Sequence, residues 1–194
     1  MPKQPVLNAG NGHVSDVPAE LRASDREQSD LIKFDEVVSA EWSALVALAL
    51  GLTGSLAAAE DLTQDAMLRL YRRWSQISGY ERPGAWLRRV VINLATSRAR
   101  RLTVEAKALA RLGRQRQAEE PALSSDADGF WATIRMLPRR QAQVLALHYG
   151  DDRSVPEIAE ILRCAEGTVR FHLHDGRQAL RDRLDATDDK ETLR

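Results

Sequence analysis

The segment Ser154-Val155-Pro156-Glu157 restricts the fold of this chain more than any other sequence feature. It matches a capping box, in which the Ser hydroxyl and the Glu carboxylate each satisfy a free backbone amide at the start of a helix. Proline is tolerated in the first turn because its missing N–H would have no partner there. Apolar residues follow at helical spacing as far as Leu162. A short helix is therefore predicted to begin at this box.

A turn, Arg163-Cys164-Ala165, follows this helix, and a second helix is predicted from Glu166 to about Leu184. Two helices joined by so short a turn form the helix-turn-helix arrangement that places its second helix in the major groove of DNA. The small side chain of Ala159 allows the two helices to cross closely. An ordinary helical hairpin with a solvated face is the alternative at this point.

The rest of the chain also follows helical periodicity from Phe34 onward, and no strand pattern occurs. The fold class predicted is all-α, with two small helical domains joined by a flexible acidic linker. The segment from Ser75 to Gly84 is predicted to be a loop because it contains Gly79 and Pro83. Helices are predicted from Phe34 to Gly51, from Ser55 to Trp74, from Ala85 to about Ala110, and as two short pieces between Phe130 and Tyr149.

Charge is balanced overall but unevenly distributed. The chain has 28 Lys and Arg against 28 Asp and Glu, yet the basic residues between Leu87 and Arg116 are opposed only by Glu105. Residues 118–129 are acidic with no basic residue. We predict a flexible arm over residues 1–30, a first domain over 31–112, a linker over 113–127, a second domain over 128–186 and a tail over 187–194.

Several classes of protein are disfavoured. One cysteine, Cys164, excludes an internal disulfide and a cysteine-rich zinc site, so no metal is expected. The sequence has no phosphate loop and no Cys–His or Ser–His pair at diagnostic spacing, so we expect no enzyme, no catalytic residue and no cofactor. No stretch approaches the roughly 18 apolar residues of a membrane span, and no signal peptide is apparent. The expected location is the cytoplasm.

Three segments, in this order, resemble the extracytoplasmic-function (ECF) sigma factors, the small two-domain members of the sigma-70 family that give bacterial RNA polymerase its promoter specificity. The first segment is Ala59-Glu60-Asp61-Leu62-Thr63-Gln64-Asp65, followed by Leu70, Tyr71 and Trp74. The second is Pro83-Gly84-Ala85-Trp86-Leu87, followed by Asn93. The third joins Leu137-Pro138-Arg139-Arg140-Gln141 with Glu166-Gly167-Thr168-Val169-Arg170.

The resemblance implies binding to core RNA polymerase, on its β′ clamp and β flap, and to promoter DNA at the −35 and −10 elements. It also implies an anti-sigma protein as a partner and a nucleoid-associated location in the cytoplasm. A patch of carboxylates and amide on one helix is suited to arginines on a partner surface. The residues implied for core polymerase binding are Glu60, Asp61, Gln64 and Asp65.

The −10 element is implied to contact the third helix and the loop before it. Tyr80, Glu81 and Arg82 are candidates for holding an unstacked base. Asn93 is the candidate for a specific contact, because its amide both donates and accepts. Trp86 is expected either to stack on DNA or, more readily, to pack in the core. The candidates for phosphate contacts are Arg88, Arg89, Arg98, Arg100 and Arg101.

The −35 element is implied to contact the last helix. Arg163 stands in the turn where such motifs usually have glycine, and Ala165 replaces a capping serine. Asp175-Gly176 predicts a kink or fraying of that helix. Cys164 is expected to fill the small apolar corner of the turn, with a redox role as the alternative. The residues implied for −35 binding are Arg139, Glu166, Thr168, Arg170, Phe171, His172, His174 and Arg177.

A second function is open on the sequence alone. The chain could be a stand-alone helix-turn-helix regulator, with the first domain sensing a ligand or forming a dimer. That function predicts a stable dimer that binds a duplex without polymerase.

Overall fold

A computed structural model describes residues 19–111 and 126–192, and within these ranges all regular structure is helical. The prediction of an all-α fold is therefore confirmed. A π-helical turn, Ala146–Gly150, continues directly from α6. The helices are α1 Ala19–Thr53, α2 Leu56–Arg72, α3 Trp74–Ile77, α4 Pro83–Arg111, α5 Asp126–Arg135, α6 Arg139–Leu145, α7 Val155–Leu162 and α8 Glu166–Thr192.

Helices α1, α2 and α4 form the first domain. Ser55 is the N-cap of α2, and its hydroxyl accepts a 3.4 Å hydrogen bond from the Ala58 N–H. This is the position that the sequence predicts for a cap. The helices meet over a core in which Leu45, Leu70 and Leu87 are fully buried.

Helices α5 to α8 form the second domain, with Ile134, Leu145 and Ile158 fully buried. The capping box predicted at the start of α7 is present, and the Glu157 carboxylate accepts a 2.9 Å hydrogen bond from the Ser154 N–H. Its hydrogen bonds with Ser154, followed by the charge of Arg153, lower the pKa of the Glu157 carboxyl to about 2. The box therefore holds a charged carboxylate at the helix N-terminus, where the helix dipole favours it.

The first and last helices are longer than predicted. Helix α1 begins at Ala19, within the range assigned to a flexible arm. No glycine or proline follows Pro18 in that segment, and its Ala, Leu, Glu, Arg and Gln residues readily extend a helix that is already anchored by packing. Helix α8 likewise continues to Thr192. Residues 1–18 of the predicted arm and nearly all of the predicted linker lie outside the described residues.

Two local predictions differ from the structure. The loop predicted from Ser75 to Gly84 is non-helical only at residues 78–82, because the short helix α3 occupies its start and buries Ile77 in the first core. Helix α8 runs through Gly176 without interruption. A Cβ at this glycine would lie 3.0 Å from Cδ1 of Leu145. Close approach to α6, rather than a break in the helix, accounts for the glycine.

One described segment, Asp30–Thr53 of α1, is long and apolar enough to cross a membrane by the measures of length and composition. From the sequence we expected no such stretch. In this structure the segment contacts α2 and α4 and fully buries Leu45, Leu48 and Ala49. Packing in the core of a helical domain explains its apolar character.

The two domains pack directly against each other, which the sequence did not indicate. Leu48 of α1 and Ile92 of α4 belong to the same buried cluster as the second domain. The ring of Trp131 lies against two glycines. An added Cβ would be 2.8 Å from the ring at Gly51 and 2.6 Å from it at Gly150. The Gly51 contact crosses the interface and the Gly150 contact lies within the second domain, and a side chain at either glycine would require the Trp131 ring to shift.

Candidate polymerase and nucleic-acid interface

Helix α2 presents an exposed acidic face. Glu60, Asp61, Gln64 and Asp65 are all exposed. The same helix leaves Leu68 and Tyr71 exposed, at 53% and 63%. Sequence reasoning included Tyr71 in the first family motif but missed Leu68, although the helical spacing of Leu68 from the carboxylates was available. A mixed acidic and apolar face of this kind is suited to a protein partner.

The loop before α4 is open to solvent. Tyr80, Glu81 and Arg82 are exposed, and Tyr80 is 51% accessible. The Arg82 guanidinium lies 3.1 Å from the Glu160 carboxylate of α7. Both side chains of this pair are about half exposed, so it contributes little to stability.

Arg88 lies at the centre of an ion cluster between the domains. Its side chain is 5% exposed, and it donates hydrogen bonds to Asp151 of the second domain and, at 2.5 Å, to Glu41 of α1. Arg153 also donates to Asp151, at 3.0 Å. Burial alone would lower the pKa of Arg88, but the hydrogen bonds and charges of the two carboxylates outweigh it and raise that pKa. The arginine therefore stays charged inside the interface.

Arg89 holds the end of α7. Its guanidinium donates to the backbone carbonyls of Glu160 and Ile161, each at 2.7 Å. These carbonyls belong to the last turn of α7, where a cation is favoured. Burial and the nearby charge of Arg163 lower the pKa of Arg89.

The other candidates on α4 are placed differently. Trp86 is half-buried and packs against the first core, as its apolar spacing indicated. Asn93 is exposed and lines an open cleft with Trp86. Arg98, Arg100 and Arg101 are exposed along the same helix.

The turn between α7 and α8 has the geometry expected of a helix-turn-helix motif. Arg163 adopts a φ of 51° in the left-handed region, which explains why glycine is usual there. Cys164 is half-buried and packs against the second core, as expected for the corner of the turn.

The outer face of α8 is available for a partner. Thr168, Arg170, Phe171 and His174 are exposed, and Phe171 is 59% accessible. Glu166 is partly exposed and pairs with Arg170 at 2.6 Å. Arg139 is exposed at the start of α6. The residues of α8 offer cationic, polar and aromatic groups to a partner, whereas Arg139 lines a cleft with Asn93 of α4.

Two candidates on α8 face inward. Arg177 is half-buried and donates to the Tyr149 hydroxyl at 2.9 Å, and it lies 3.0 Å from Nε2 of His148. His172 is half-buried, and its Nδ1 atom is buried without a hydrogen-bond partner among the described residues. Arg177 would have to leave its present partners in order to reach DNA.

Comparisons with known proteins agree with this arrangement. Residues 38–105 match Sigma-70 region 2, and residues 128–180 match Sigma-70, region 4. The chain is 30% identical over 161 residues to the RNA polymerase sigma-E factor of Streptomyces antibioticus, covering 83% of this chain and 89% of that protein. It is 32% identical over 157 residues to the ECF RNA polymerase sigma factor SigL of Mycobacterium tuberculosis, covering 76% of this chain and 84% of that protein.

The chain belongs to the sigma-70 family. It is an RNA polymerase sigma factor of the ECF type, and the stand-alone regulator is set aside. Sigma factors are regulatory proteins rather than enzymes, and ECF sigma factors act in the cytoplasm with RNA polymerase.

A solved structure with the same fold is the sigma factor RpoE in complex with the anti-sigma factor NepR from Bartonella quintana. The TM-score is 0.64 at 25% identity, covering 78% of this sigma factor and 96% of RpoE.

Proposed function

We propose that the α2 face docks on the β′ clamp of core polymerase and that the second domain contacts the β flap. The loop at Tyr80–Arg82 and α4 would then read the −10 element, while α8 reads the −35 element. The proposed domain limits are residues 31–112 and 128–186, with the acidic segment 113–127 joining them. DNA opening would follow from binding energy alone, with no chemistry of its own, and the protein would be nucleoid-associated.

The observation that carries the −35 assignment is the geometry of the turn and of α8. The left-handed Arg163 ends α7 sharply, and the exposed Thr168, Arg170 and Phe171 lie in the N-terminal turns of α8. In helix-turn-helix proteins these are the turns that contact base edges. His172 and Arg177 are less accessible, so we assign them the smaller share of the contacts.

The −10 assignment requires the two domains to separate. Arg88 and Arg89 are candidates for phosphate contacts, yet both are held by groups of the second domain. Asp151 and the end of α7 would have to move away before these arginines could contact DNA. Asn93, Arg98, Arg100 and Arg101 are exposed without such a change.

We also propose an anti-sigma protein as a partner. The support is RpoE, which was solved with the anti-sigma factor NepR and which shares the fold of this chain. The exposed Leu68 and Tyr71 extend the acidic face of α2 and would add apolar area for such a partner.

Selection from a randomised duplex library tests these assignments. The chain with core polymerase is expected to enrich two sequence blocks at a constant spacing. A Thr168→Ala/Arg170→Ala variant is expected to lose the upstream block and keep the downstream one, because the substitutions lie on α8 alone. Enrichment of a palindrome by the chain without polymerase, or loss of both blocks together, contradicts the proposal.

A further inference from the structure

A second basic surface lies on the first domain, at a place to which neither the motifs nor the comparisons assign a role. Arg69 and Arg72 lie in the last turns of α2, and Arg73 follows as its C-cap. All three are exposed. They line an open cleft of about 460 Å³ together with Arg89 of α4 and Arg163 of the turn before α8. We call this set of five guanidinium groups the arginine cleft.

The positive charge of the arginine cleft is not neutralised by its own walls. Among the described residues no carboxylate lines it, and none of the three α2 arginines has an ion-pair partner there. The charge of Arg163 contributes to the lowered pKa of Arg89, which is the sign of repulsion between cations. The cluster therefore offers an uncompensated positive surface that attracts an anion.

Stabilisation of α2 alone does not explain the cluster. Arginines in a last turn interact favourably with the helix dipole, and this accounts for Arg69 and Arg72. It does not account for the convergence of cations from α4 and from the second domain. Positions 72 and 73 are three and four residues after position 69, so the side chains of Arg72 and Arg73 are both neighbours of Arg69.

The other walls of the arginine cleft indicate what the anion belongs to. Trp86 and Asn93 line the same cleft, and both are candidates for contacts with the −10 element. An aromatic ring, an amide and a row of guanidinium groups are the components of single-strand binding surfaces, in which cations follow the backbone. The cleft is therefore continuous with the proposed −10 surface.

We propose that Arg69, Arg72 and Arg73 bind the phosphates of a single DNA strand that runs from the −10 surface along the end of α2. This rests on the proposed function and extends it to a helix otherwise assigned only to polymerase docking. The three side chains are exposed in the packed arrangement of the domains, so they are available before the domains separate. Arg89 joins them once α7 moves away.

The test measures the salt dependence of binding of the full chain to a fluorescein-labelled oligothymidylate by anisotropy. A plot of log K against log salt has a negative slope, to which each single-strand phosphate contact contributes about 0.7 in magnitude. Replacing all three arginines (Arg69→Ala/Arg72→Ala/Arg73→Ala) is therefore expected to reduce the magnitude of the slope by about 2. Between 50 and 200 mM salt the wild type would then lose roughly 18-fold more affinity than the variant. The Arg→Lys version of the triple variant keeps the charge and should keep the slope.

A matched control removes three exposed cations elsewhere, as Lys33→Ala/Arg111→Ala/Arg181→Ala. It should keep a slope closer to that of the wild type, although the net charge falls equally. Equal slopes for the arginine variant and this control overturn the proposal. The proposal is also overturned if the wild type fails to bind oligothymidylate at 50 mM salt. It is overturned as well if the arginine substitutions change the slope for duplex DNA but not for the single strand.

Core polymerase binding, measured by co-purification, separates this inference from the proposed function. If the wild type binds polymerase and the arginine variant has the same salt-dependence slope as the wild type, only the single-strand assignment is overturned. A wild type that does not bind polymerase overturns the proposed function itself.

Discussion

Replacing Asp151 by alanine should destabilise the whole chain, because this carboxylate joins the two domains through Arg88. Its side chain is 2% exposed and that of Arg88 is 5% exposed. Removal of one partner from a buried ion pair costs about 3–5 kcal/mol, since the other charge is left without compensation. Glu41 still contacts Arg88 at 2.5 Å, so we expect the lower end, about 3 kcal/mol.

Urea unfolding followed by circular dichroism measures this loss of unfolding free energy. In thermal melts the melting temperature should fall by about 6–12 °C. Glu160→Ala removes the exposed partner of Arg82 and serves as the control, with an expected loss below about 1 kcal/mol. A double-mutant cycle with Arg88→Ala should show strong coupling to Asp151. An Asp151→Ala variant no less stable than Glu160→Ala would refute the argument that the cluster holds the interface.

Two further predictions concern packing and pH. Gly51→Ala should destabilise the protein by about 1–3 kcal/mol, because its Cβ would lie 2.8 Å from the Trp131 ring. Gly167→Ala, whose Cβ would have nothing within 4 Å, should instead stabilise α8 by about 0.5–1 kcal/mol. Equal effects of the two substitutions in thermal melts would contradict this prediction. The folded pKa of Glu157 is about 2 against an ordinary 4.5, so its contribution to stability is complete above pH 4.5 and is lost as the pH falls through about 2. Glu157→Gln should therefore be less stable than wild type at pH 7, with the difference narrowing between pH 4.5 and 2; a difference that does not change with pH would show that charge is not involved.

Local features of this fold could be predicted because their causes lie within a few residues. Ser154 and Glu157 define the start of α7, Ser55 caps α2, and Arg163 takes the left-handed position that the short turn requires. The acidic face of α2 also follows from spacing alone. In each case the chemistry and its partner are adjacent in the sequence.

The interface between the domains could not be predicted, because its partners are distant in the sequence and carry no pattern. Arg88 and Asp151 are 63 residues apart, and an arginine in a basic helix is more naturally assigned to phosphate contacts than to a buried carboxylate. Gly176 resembled a helix break because its reason, the neighbouring Leu145, lies on another helix. Tertiary packing decided both cases.

Promoter-directed transcription with purified core RNA polymerase tests the central assignment, the docking of this sigma factor through α2, most directly. The wild type is compared with Asp61→Arg/Gln64→Arg on the exposed face of α2, and with Asp35→Arg/Gln28→Arg on α1 as a control with the same change of charge. We expect the wild type and the α1 control to initiate from the promoter and the α2 variant to lose initiation together with binding to core polymerase. Initiation by the α2 variant at the level of the control would contradict the account.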